Sequence, residues 1–179
     1  YTPFSIDADP FFKPGNEQTL VVKVDSTQRP DIPPFGNVID YLTYGGIYRD
    51  AAIRIVNSSY IENLRILPEK KSTSTWDISF HAILQEIPPE NTELKVTLYN
   101  SSKKAVGMVT AAQPDFSLDG ISEIDVWDIE TPNLYTAAAE LTINGKLVDS
   151  TIYTFGFRES EFKSDGFYLN GKKIPLIGL

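Results

Sequence analysis

The feature that most constrains the fold of this chain is a period-two alternation of apolar and polar residues, divided by turn signals along nearly its whole length. The clearest example is Trp76–Ile87, where the even-numbered residues Trp76, Ile78, Phe80 and Ala82 are apolar and Asp77, Ser79 and His81 are polar. Such alternation indicates strands with one buried face. A sustained 3.6-residue stripe with caps, which would predict a helix, is missing from the sequence. We therefore predict an all-β fold.

Turn dipeptides divide the other apolar runs into further strands. Asn144–Gly145 is a strong hairpin signal, and Asn170–Gly171 predicts a second hairpin between Phe167–Leu169 and Ile174–Leu179. The remaining predicted strands are Thr19–Val24, Ala51–Val56, Ile61–Leu67, Leu94–Tyr99, Val106–Ala111, Leu134–Ile143 and Leu147–Phe155. Many short strands between turns are typical of a β-sandwich, and residues 57–157 have the length of an immunoglobulin-like one, about 100 residues.

Residues 26–44 do not follow this pattern. Three prolines and a glycine lie between Pro30 and Gly36, which is too many breakers for a central strand. We predict a long loop here, and its aromatic residues favour an ordered one. Ordered loops of this length are usually functional.

Charge and cysteine content exclude several classes of function. The chain carries 16 Lys and Arg against 24 Asp and Glu, a net charge of −8, whereas nucleic acid and anionic membranes require a basic surface. The absence of cysteine removes disulfides, thiolate nucleophiles and cysteine metal sites. Both a cytoplasmic and a secreted bacterial enzyme fit these features, so the compartment stays open.

The two ends of the sequence indicate a piece of a longer protein. The chain begins at Tyr1 and ends in the apolar run Ile174–Leu179, with no polar tail. Natural C-termini are usually polar and frayed. We therefore expect a parent protein that continues beyond Leu179.

Several motifs occur in a fixed order along the chain. They are Tyr1–Val24, the Gly-Gly-Ile-Tyr-Arg segment Tyr44–Asp50, the Pro-Asn-Leu-Tyr segment Trp127–Tyr135, Gly156–Arg158, and Phe167–Lys172. Each motif alone is weak. Together, in this order, they resemble glycoside hydrolase family 2, the family of β-galactosidases, β-glucuronidases and β-mannosidases.

The resemblance implies a layout of three parts. Residues 1–56 would be the C-terminal part of a jelly-roll domain of the sugar-binding type, residues 57–157 the immunoglobulin-like β-sandwich, and residues 158–179 the lead-in and first strands of a catalytic (β/α)₈ barrel. The family's two catalytic glutamates would lie beyond Leu179. The chain itself would then hold no catalytic residue and would act as a scaffold within a retaining β-glycosidase.

The resemblance also implies partners and cofactors. The partners would be the catalytic barrel of the parent chain and, in the parent, a β-glycoside substrate, with no nucleic acid and no membrane. Half of a jelly roll would expose unpaired edges, so we expect either a homo-oligomer or the missing half of the jelly roll to be present in another form. No cofactor is expected in this stretch, and Na⁺ or Mg²⁺ are the candidate cations of the parent.

Asp40 is the residue with the strongest functional claim. In the family, an aspartate at the matching position before the Gly-Gly motif reaches from the jelly roll to the substrate, and Asp40 resembles it. A carboxylate that accepts sugar hydroxyls makes strong, charge-assisted hydrogen bonds, although Asp40 could instead cap a local turn. Tyr41 and Tyr44 are the candidate aromatic contacts beside it.

Other chemical residues have structural interpretations that we favour. His81 is the one histidine of the chain and is interpreted as structural. The acidic residues Asp125, Asp128 and Glu130 are interpreted as a solvated loop edge, with a cation site as the alternative. The aromatic residues that could stack on sugars but suit a core better are Trp76, Phe80, Trp127 and Tyr135.

Two rivals to the glycosidase scaffold remain. The chain could be a free-standing carbohydrate-binding module, which would bind glycans on its own. It could also be a structural immunoglobulin-like module. The barrel-type lead-in at Asp165–Leu179 counts against both.

Overall fold

The computed structural model describes residues 4–27, 29–31, 45–85 and 90–178. These residues form ten β-strands and no helix, so none of them belongs to a helix that could cross a membrane. The strands are β1 Ile61–Lys70, β2 Thr75–Leu84, β3 Thr92–Tyr99, β4 Ala105–Ala111, β5 Asp115–Ser122, β6 Tyr135–Ile143, β7 Lys146–Phe155, β8 Ser160–Lys163, β9 Gly166–Leu169 and β10 Lys172–Ile174. The chain divides into two compact units, Tyr1–Arg54 and Ile55–Leu179. The all-β prediction is confirmed.

The first seven strands form a two-sheet sandwich. One sheet has the order β1-β2-β5, the other the order β4-β3-β6-β7, and all pairs are antiparallel. In a constant-type immunoglobulin domain the fourth strand belongs to the sheet of the first, second and fifth strands. Here β4 pairs with β3 instead, so the sandwich is immunoglobulin-like with its fourth strand on the opposite sheet.

The core lies between the two sheets and follows the alternation of the sequence. In β2 the apolar set from Trp76 to Ala82 is buried and Ser79 is exposed, as the period-two pattern predicts. β3 and β6 contribute the facing residues of the other sheet. The buried core consists of Ile61, Leu64, Trp76, Ile78, Phe80, Ala82, Leu94, Val96, Leu98, Ile121, Tyr135, Ala137, Ala139, Leu141 and Phe157.

The hairpin predicted at Asn144–Gly145 joins β6 to β7. Asn144 and Gly145 have φ angles of 51° and 73°, the positive values that a type I′ turn requires and that Asn and Gly tolerate best. The ladder pairs Ile143 with Lys146 at the turn and runs to Tyr135 opposite Phe155.

β5 is a strand that the sequence did not predict. Its alternation is interrupted at Asp119–Gly120, where the pairing with β2 shifts register. Gly120 has a φ of 72°, and its N–H donates to Asp77 Oδ1 at 2.8 Å. Because the bulge interrupts the period-two alternation, the sequence pattern did not predict this strand.

The strands predicted at Thr19–Val24 and Ala51–Val56 are wrong. Residues 19–24 lie in the first unit and residues 51–56 span the boundary between the two units. Neither segment forms a strand or pairs with a described strand. The side chains of Val21 and Ile55 are 84% and 94% exposed. A strand needs a hydrogen-bonded neighbouring strand as well as suitable side chains, and none of the described strands pairs with either segment. The assignment of residues 1–56 to a jelly roll stays a prediction.

The last three strands form a small antiparallel sheet of order β10-β9-β8. Asn170 and Gly171, with φ angles of 50° and 78°, form the predicted hairpin between β9 and β10. The strand predicted to reach Leu179 ends at Ile174, because the next residue, Pro175, has no N–H to donate to a ladder. β8 was not predicted, since Ser160–Lys163 is short and fully exposed.

Candidate functional site

The predicted substrate contacts Asp40, Tyr41 and Tyr44 lie outside the described residues. Their role therefore stays a prediction. The last three motifs, Trp127–Tyr135, Gly156–Arg158 and Phe167–Lys172, lie wholly within the described residues. The segments at Trp127, at Gly156–Glu159 and at Asn170 are far apart in sequence and come together at one end of the sandwich, in a cluster that we call the motif junction.

The loop that begins at Trp127 is shaped by its own backbone and by Asn133. Trp127 forms an isolated bridge with Pro132, and the Asp128 N–H donates to the Thr131 carbonyl at 3.0 Å. Asn133 Nδ2 donates to the Val126 carbonyl at 3.0 Å. The Pro-Asn pair therefore closes a tight loop that leads directly into β6.

Phe157 anchors the junction to the core. Its side chain is fully buried, and its ring meets Trp76 edge-on at 5.4 Å and Tyr135 edge-on at 4.9 Å between centroids. Edge-to-face pairs of this kind add stabilisation beyond the buried area. Phe157 therefore ties together β2, β6 and the segment that leaves β7.

Tyr135, at the start of β6, supports the same corner through its hydroxyl group. The Asp125 N–H donates to Tyr135 Oη at 3.0 Å, an arrangement similar to the tyrosine corner of immunoglobulin-like sandwiches. Burial raises the pKa of Tyr135 above its ordinary value, because the ionised phenol would lose its hydration. The hydroxyl is therefore a neutral structural group.

Trp127 is held on three sides. Its backbone N–H donates to the Phe157 carbonyl at 2.8 Å. The guanidinium carbon of Arg158 lies 5.0 Å from the centre of the Trp127 ring. A Cβ added to Gly156 would lie 2.8 Å from Trp127 Cβ, closer than real Cβ atoms approach a neighbour. The Gly-Phe-Arg motif thus has a physical reason for each residue: space for the indole, an anchor in the core and a cation over the ring.

Asn170 connects the small sheet to this cluster with both ends of its amide. Its Oδ1 accepts from the Glu159 N–H at 3.0 Å, and its Nδ2 donates to the Trp127 carbonyl at 2.9 Å. The Asn170 N–H also donates to the Glu159 carbonyl at 2.9 Å. Lys70 Nζ lies 2.9 Å from Glu159 Oε2 and adds a link to the end of β1. These contacts fix the positions of the Trp127 loop, the segment after β7 and the β9–β10 turn relative to one another.

The remaining candidate residues are not brought into one site. His81 Nδ1 lies 2.6 Å from Asp115 Oδ1, and both side chains are partly exposed on the outer face of β2 and β5. Asp128 Oδ1 accepts from the Ile129 N–H. Within the described part of the chain, no three His, Cys, Asp or Glu side chains are grouped as a metal site, so no step is assigned here to a Na⁺ or Mg²⁺ ion.

The aromatic candidates separate into two groups. Trp76, Phe80 and Tyr135 are at most 3% exposed and belong to the core, so core packing is confirmed for them. Trp127 is half-buried beneath Arg158. The role of Asn170 was missed, because its bond to the Trp127 carbonyl joins residues 43 positions apart; the Asn-Gly pair signalled the turn alone.

Comparisons with known proteins agree with this architecture. Residues 59–158 match the family model described as glycosyl hydrolases family 2. A β-galactosidase of Thermoanaerobacterium thermosulfurigenes aligns with the whole chain at 37% sequence identity, and the aligned part is 26% of that protein. A putative β-glucuronidase of Formosa agariphila aligns with 99% of the chain at 29% identity, and the aligned part is 22% of that protein. The chain spans about a quarter of the length of the first two curated relatives it matches.

The solved structures show the same fold at low sequence identity. The apo β-glucuronidase of Ruminococcus gnavus superposes with a TM-score of 0.58 over 67% of this chain and 20% of its own, at 13% identity. That likeness concerns the fold alone. With the family model matching 100 of the 179 residues (59–158) and the whole-chain relatives beside it, this chain belongs to glycosyl hydrolases family 2.

Proposed function

We propose that this chain is the supporting β-sandwich portion of a retaining β-glycosidase of the β-galactosidase or β-glucuronidase type. The observation that carries the proposal is the match of the whole chain, at 37% identity, to part of a β-galactosidase. The motif junction supports it, because the motifs of the resemblance are used there for packing and positioning. Retaining hydrolysis needs two carboxyl groups about 5–5.5 Å apart, and we assign both to the barrel of the parent, beyond Leu179.

The proposed layout follows the resemblance. Residues 1–56 form the end of a jelly roll, residues 57–157 the sandwich, and residues 158–179 the entry to the barrel. The family match to residues 59–158 and the division of the chain after Arg54 support this order. The partner of the sandwich is then the catalytic barrel of the same chain, and the β-glycoside substrate belongs to the complete enzyme.

The proposal is tested by comparing turnover of the 179-residue chain with that of the parent enzyme. Nitrophenyl β-galactoside and nitrophenyl β-glucuronide are the probes. We expect hydrolysis of at least one of them by the parent and none by the 179-residue chain above the buffer rate. Hydrolysis by the purified 179-residue chain, in proportion to its concentration, would show that it contains its own catalytic groups.

Asp40 is proposed as a substrate-hydroxyl contact in the parent, with Tyr41 and Tyr44 as neighbouring aromatic contacts. Loss of a charge-assisted hydrogen bond lowers kcat/KM by about 10- to 100-fold, so Asp40→Ala should show a fall of that size. Asp9→Ala, at an exposed carboxylate of the same unit, is the matched control and should leave kcat/KM unchanged. An unchanged kcat/KM in Asp40→Ala would retire the assignment.

A further inference from the structure

We propose that Asn170 is a positioning residue that locks the β8–β10 sheet to the sandwich, so that the two sheets of the sandwich and the small sheet form one rigid block. The lock deepens the proposed function, on which its consequence for a parent enzyme rests. Its physical basis is the way in which the connecting segment and the turn residue are held.

The connection between the two parts is four residues long and is held at every position. β7 ends at Phe155 and β8 begins at Ser160. Within this segment, Gly156 packs against Trp127, Phe157 is buried in the core, and Arg158 covers the Trp127 ring. Glu159 exchanges backbone and side-chain hydrogen bonds with Asn170. Because each of the four connecting residues is fixed by a contact, none of them can act as a hinge.

The amide of Asn170 is the group that closes the lock. The turn position requires positive φ, which Gly, Asn and Asp tolerate, so the turn alone does not demand asparagine. Asparagine adds an acceptor for the Glu159 N–H and a donor for the Trp127 carbonyl, both within 3.0 Å. Aspartate would keep the acceptor and lose the donor, and glycine would lose both. The two substitutions therefore separate the hairpin, the Glu159 contact and the bond to the sandwich.

Asn144 is a matched position with a local role. It occupies the first residue of the other Asn-Gly turn, with a φ of 51° against 50° for Asn170. Its N–H donates to the Asn91 carbonyl at 3.1 Å, and its Oδ1 accepts from Asn91 Nδ2 at 3.3 Å. These bonds stay at the end of the β3-β6-β7 sheet, so Asn144→Gly removes a side chain from the same kind of turn without touching the motif junction.

In the parent enzyme, the lock would set the direction in which the chain leaves the sandwich. β8, β9 and β10 all lie within residues 158–179, the stretch that we assign to the entry of the barrel. An orientation fixed by Asn170 would hold the entry of that barrel relative to the sandwich. The inference thus gives the proposed scaffold a specific mechanical part.

The test measures hydrogen exchange at the backbone N–H of Trp127. This N–H donates to the Phe157 carbonyl, and none of the substitutions changes that acceptor. Residue-resolved hydrogen exchange on the 179-residue chain is compared for Asn170→Gly, Asn170→Asp and Asn144→Gly. We expect Glu159 N–H exchange to speed up about tenfold in Asn170→Gly and to change little in Asn170→Asp. Trp127 N–H exchange should speed up at least about threefold in both Asn170 variants and stay unchanged in Asn144→Gly.

A spectroscopic signature accompanies the exchange data. The chain has two tryptophans, so fluorotryptophan labelling gives two ¹⁹F resonances, with the core residue Trp76 as internal reference. The Trp127 resonance should move in both Asn170 variants, and Trp76 should not. Unchanged Trp127 exchange and an unmoved Trp127 resonance would overturn the lock; if Asn170→Gly does not fold, Asn170→Asp decides. The turnover of the unsubstituted parent tests the proposed function separately.

Discussion

Residues 19–24 and residues 94–99 look alike as sequence and differ completely as structure. Each is a six-residue run of four apolar residues, one threonine and one lysine. Val96 is fully buried in β3, which pairs with β4 on one side and β6 on the other, whereas Val21 is 84% exposed in a segment without a described strand partner. The difference teaches that an apolar run is not sufficient for a strand, and that pairing on a shared core separates these two segments.

The largest expected effect comes from the anchor of the core. Phe157→Ala should lower the free energy of unfolding by about 3–5 kcal/mol, because the ring is fully buried between Trp76 and Tyr135. Urea denaturation measures it. Phe11→Ala, at an exposed phenylalanine of the first unit, should stay within about 0.5 kcal/mol. Equal effects of the two substitutions would break the comparison.

A matched pair of valines sharpens the comparison at the same chemistry. Val96→Thr places a hydroxyl in the core and should cost about 1–3 kcal/mol, since the side chain is fully buried. Val21→Thr should change the free energy of unfolding by less than about 0.5 kcal/mol. Urea midpoints of both variants provide the measurement, and a cost at Val21 as large as that at Val96 would indicate a buried strand there.

A pair of glycines tests the close approach at the motif junction. Gly156→Ala should cost about 1–3 kcal/mol through overpacking, because its new Cβ would lie 2.8 Å from Trp127 Cβ. Gly178→Ala is the control, since a Cβ there meets no atom within 4 Å among the described contacts. Thermal unfolding compares the two. An unchanged Tm in Gly156→Ala would show that Trp127 can move aside without cost.

The tyrosine corner should produce a smaller, pH-dependent effect. Tyr135→Phe removes the acceptor of the Asp125 N–H and should cost about 0.5–1.5 kcal/mol at neutral pH. Because burial raises the pKa of Tyr135, the unfolded chain loses the phenol proton first, near its ordinary pKa of about 10. Stability from this group is therefore complete below pH 10 and falls as the pH rises above it.

Urea denaturation at several pH values checks this prediction. The unsubstituted chain should lose stability more steeply above pH 10 than Tyr135→Phe does. Tyr48→Phe, at an exposed position of the first unit, should retain the alkaline slope of the unsubstituted chain. Parallel alkaline slopes in all three proteins would contradict the buried, neutral phenol.

The smallest effect is expected at the surface ion pairs. Lys95 and Glu140 face each other across β3 and β6, with 2.8 Å between Nζ and Oε2, and a double-mutant cycle should give about 0.2–1 kcal/mol that declines with added salt. The Arg29–Asp31 pair of the first unit is not held by a sheet and should give a smaller coupling. A larger coupling energy at Arg29–Asp31 than at Lys95–Glu140 would contradict the proposed difference between the two regions.

The sequence predicted what depends on local pattern and local turn chemistry. The alternation of β2 and the Asn144–Gly145 hairpin required information from adjacent residues alone, and both are confirmed. β5 was missed because the bulge at Gly120 interrupts its period, and the strand at Thr19–Val24 was wrong because sequence shows side chains and not partners. The all-β sandwich followed from the many short strands divided by turn signals.

The candidate site was less accessible to sequence reasoning. Asp40, Tyr41 and Tyr44 came from the resemblance and lie outside the described residues. The motifs at Trp127 and Phe157 were identified, but their contact depends on how the sandwich brings distant loops to one end. The two side-chain hydrogen bonds of Asn170, to Glu159 and to Trp127, could not be predicted from the sequence. An Asn-Gly pair is already accounted for by the turn that it forms.

The most direct test of the central claim, that pairing on a shared core separates the two regions, is residue-resolved hydrogen exchange on the unsubstituted chain. We predict strong protection of the paired amides of β2, β3 and β6, and exchange at residues 19–24 within about tenfold of the unfolded rate. Protection of residues 19–24 equal to that of β3 would contradict the claim.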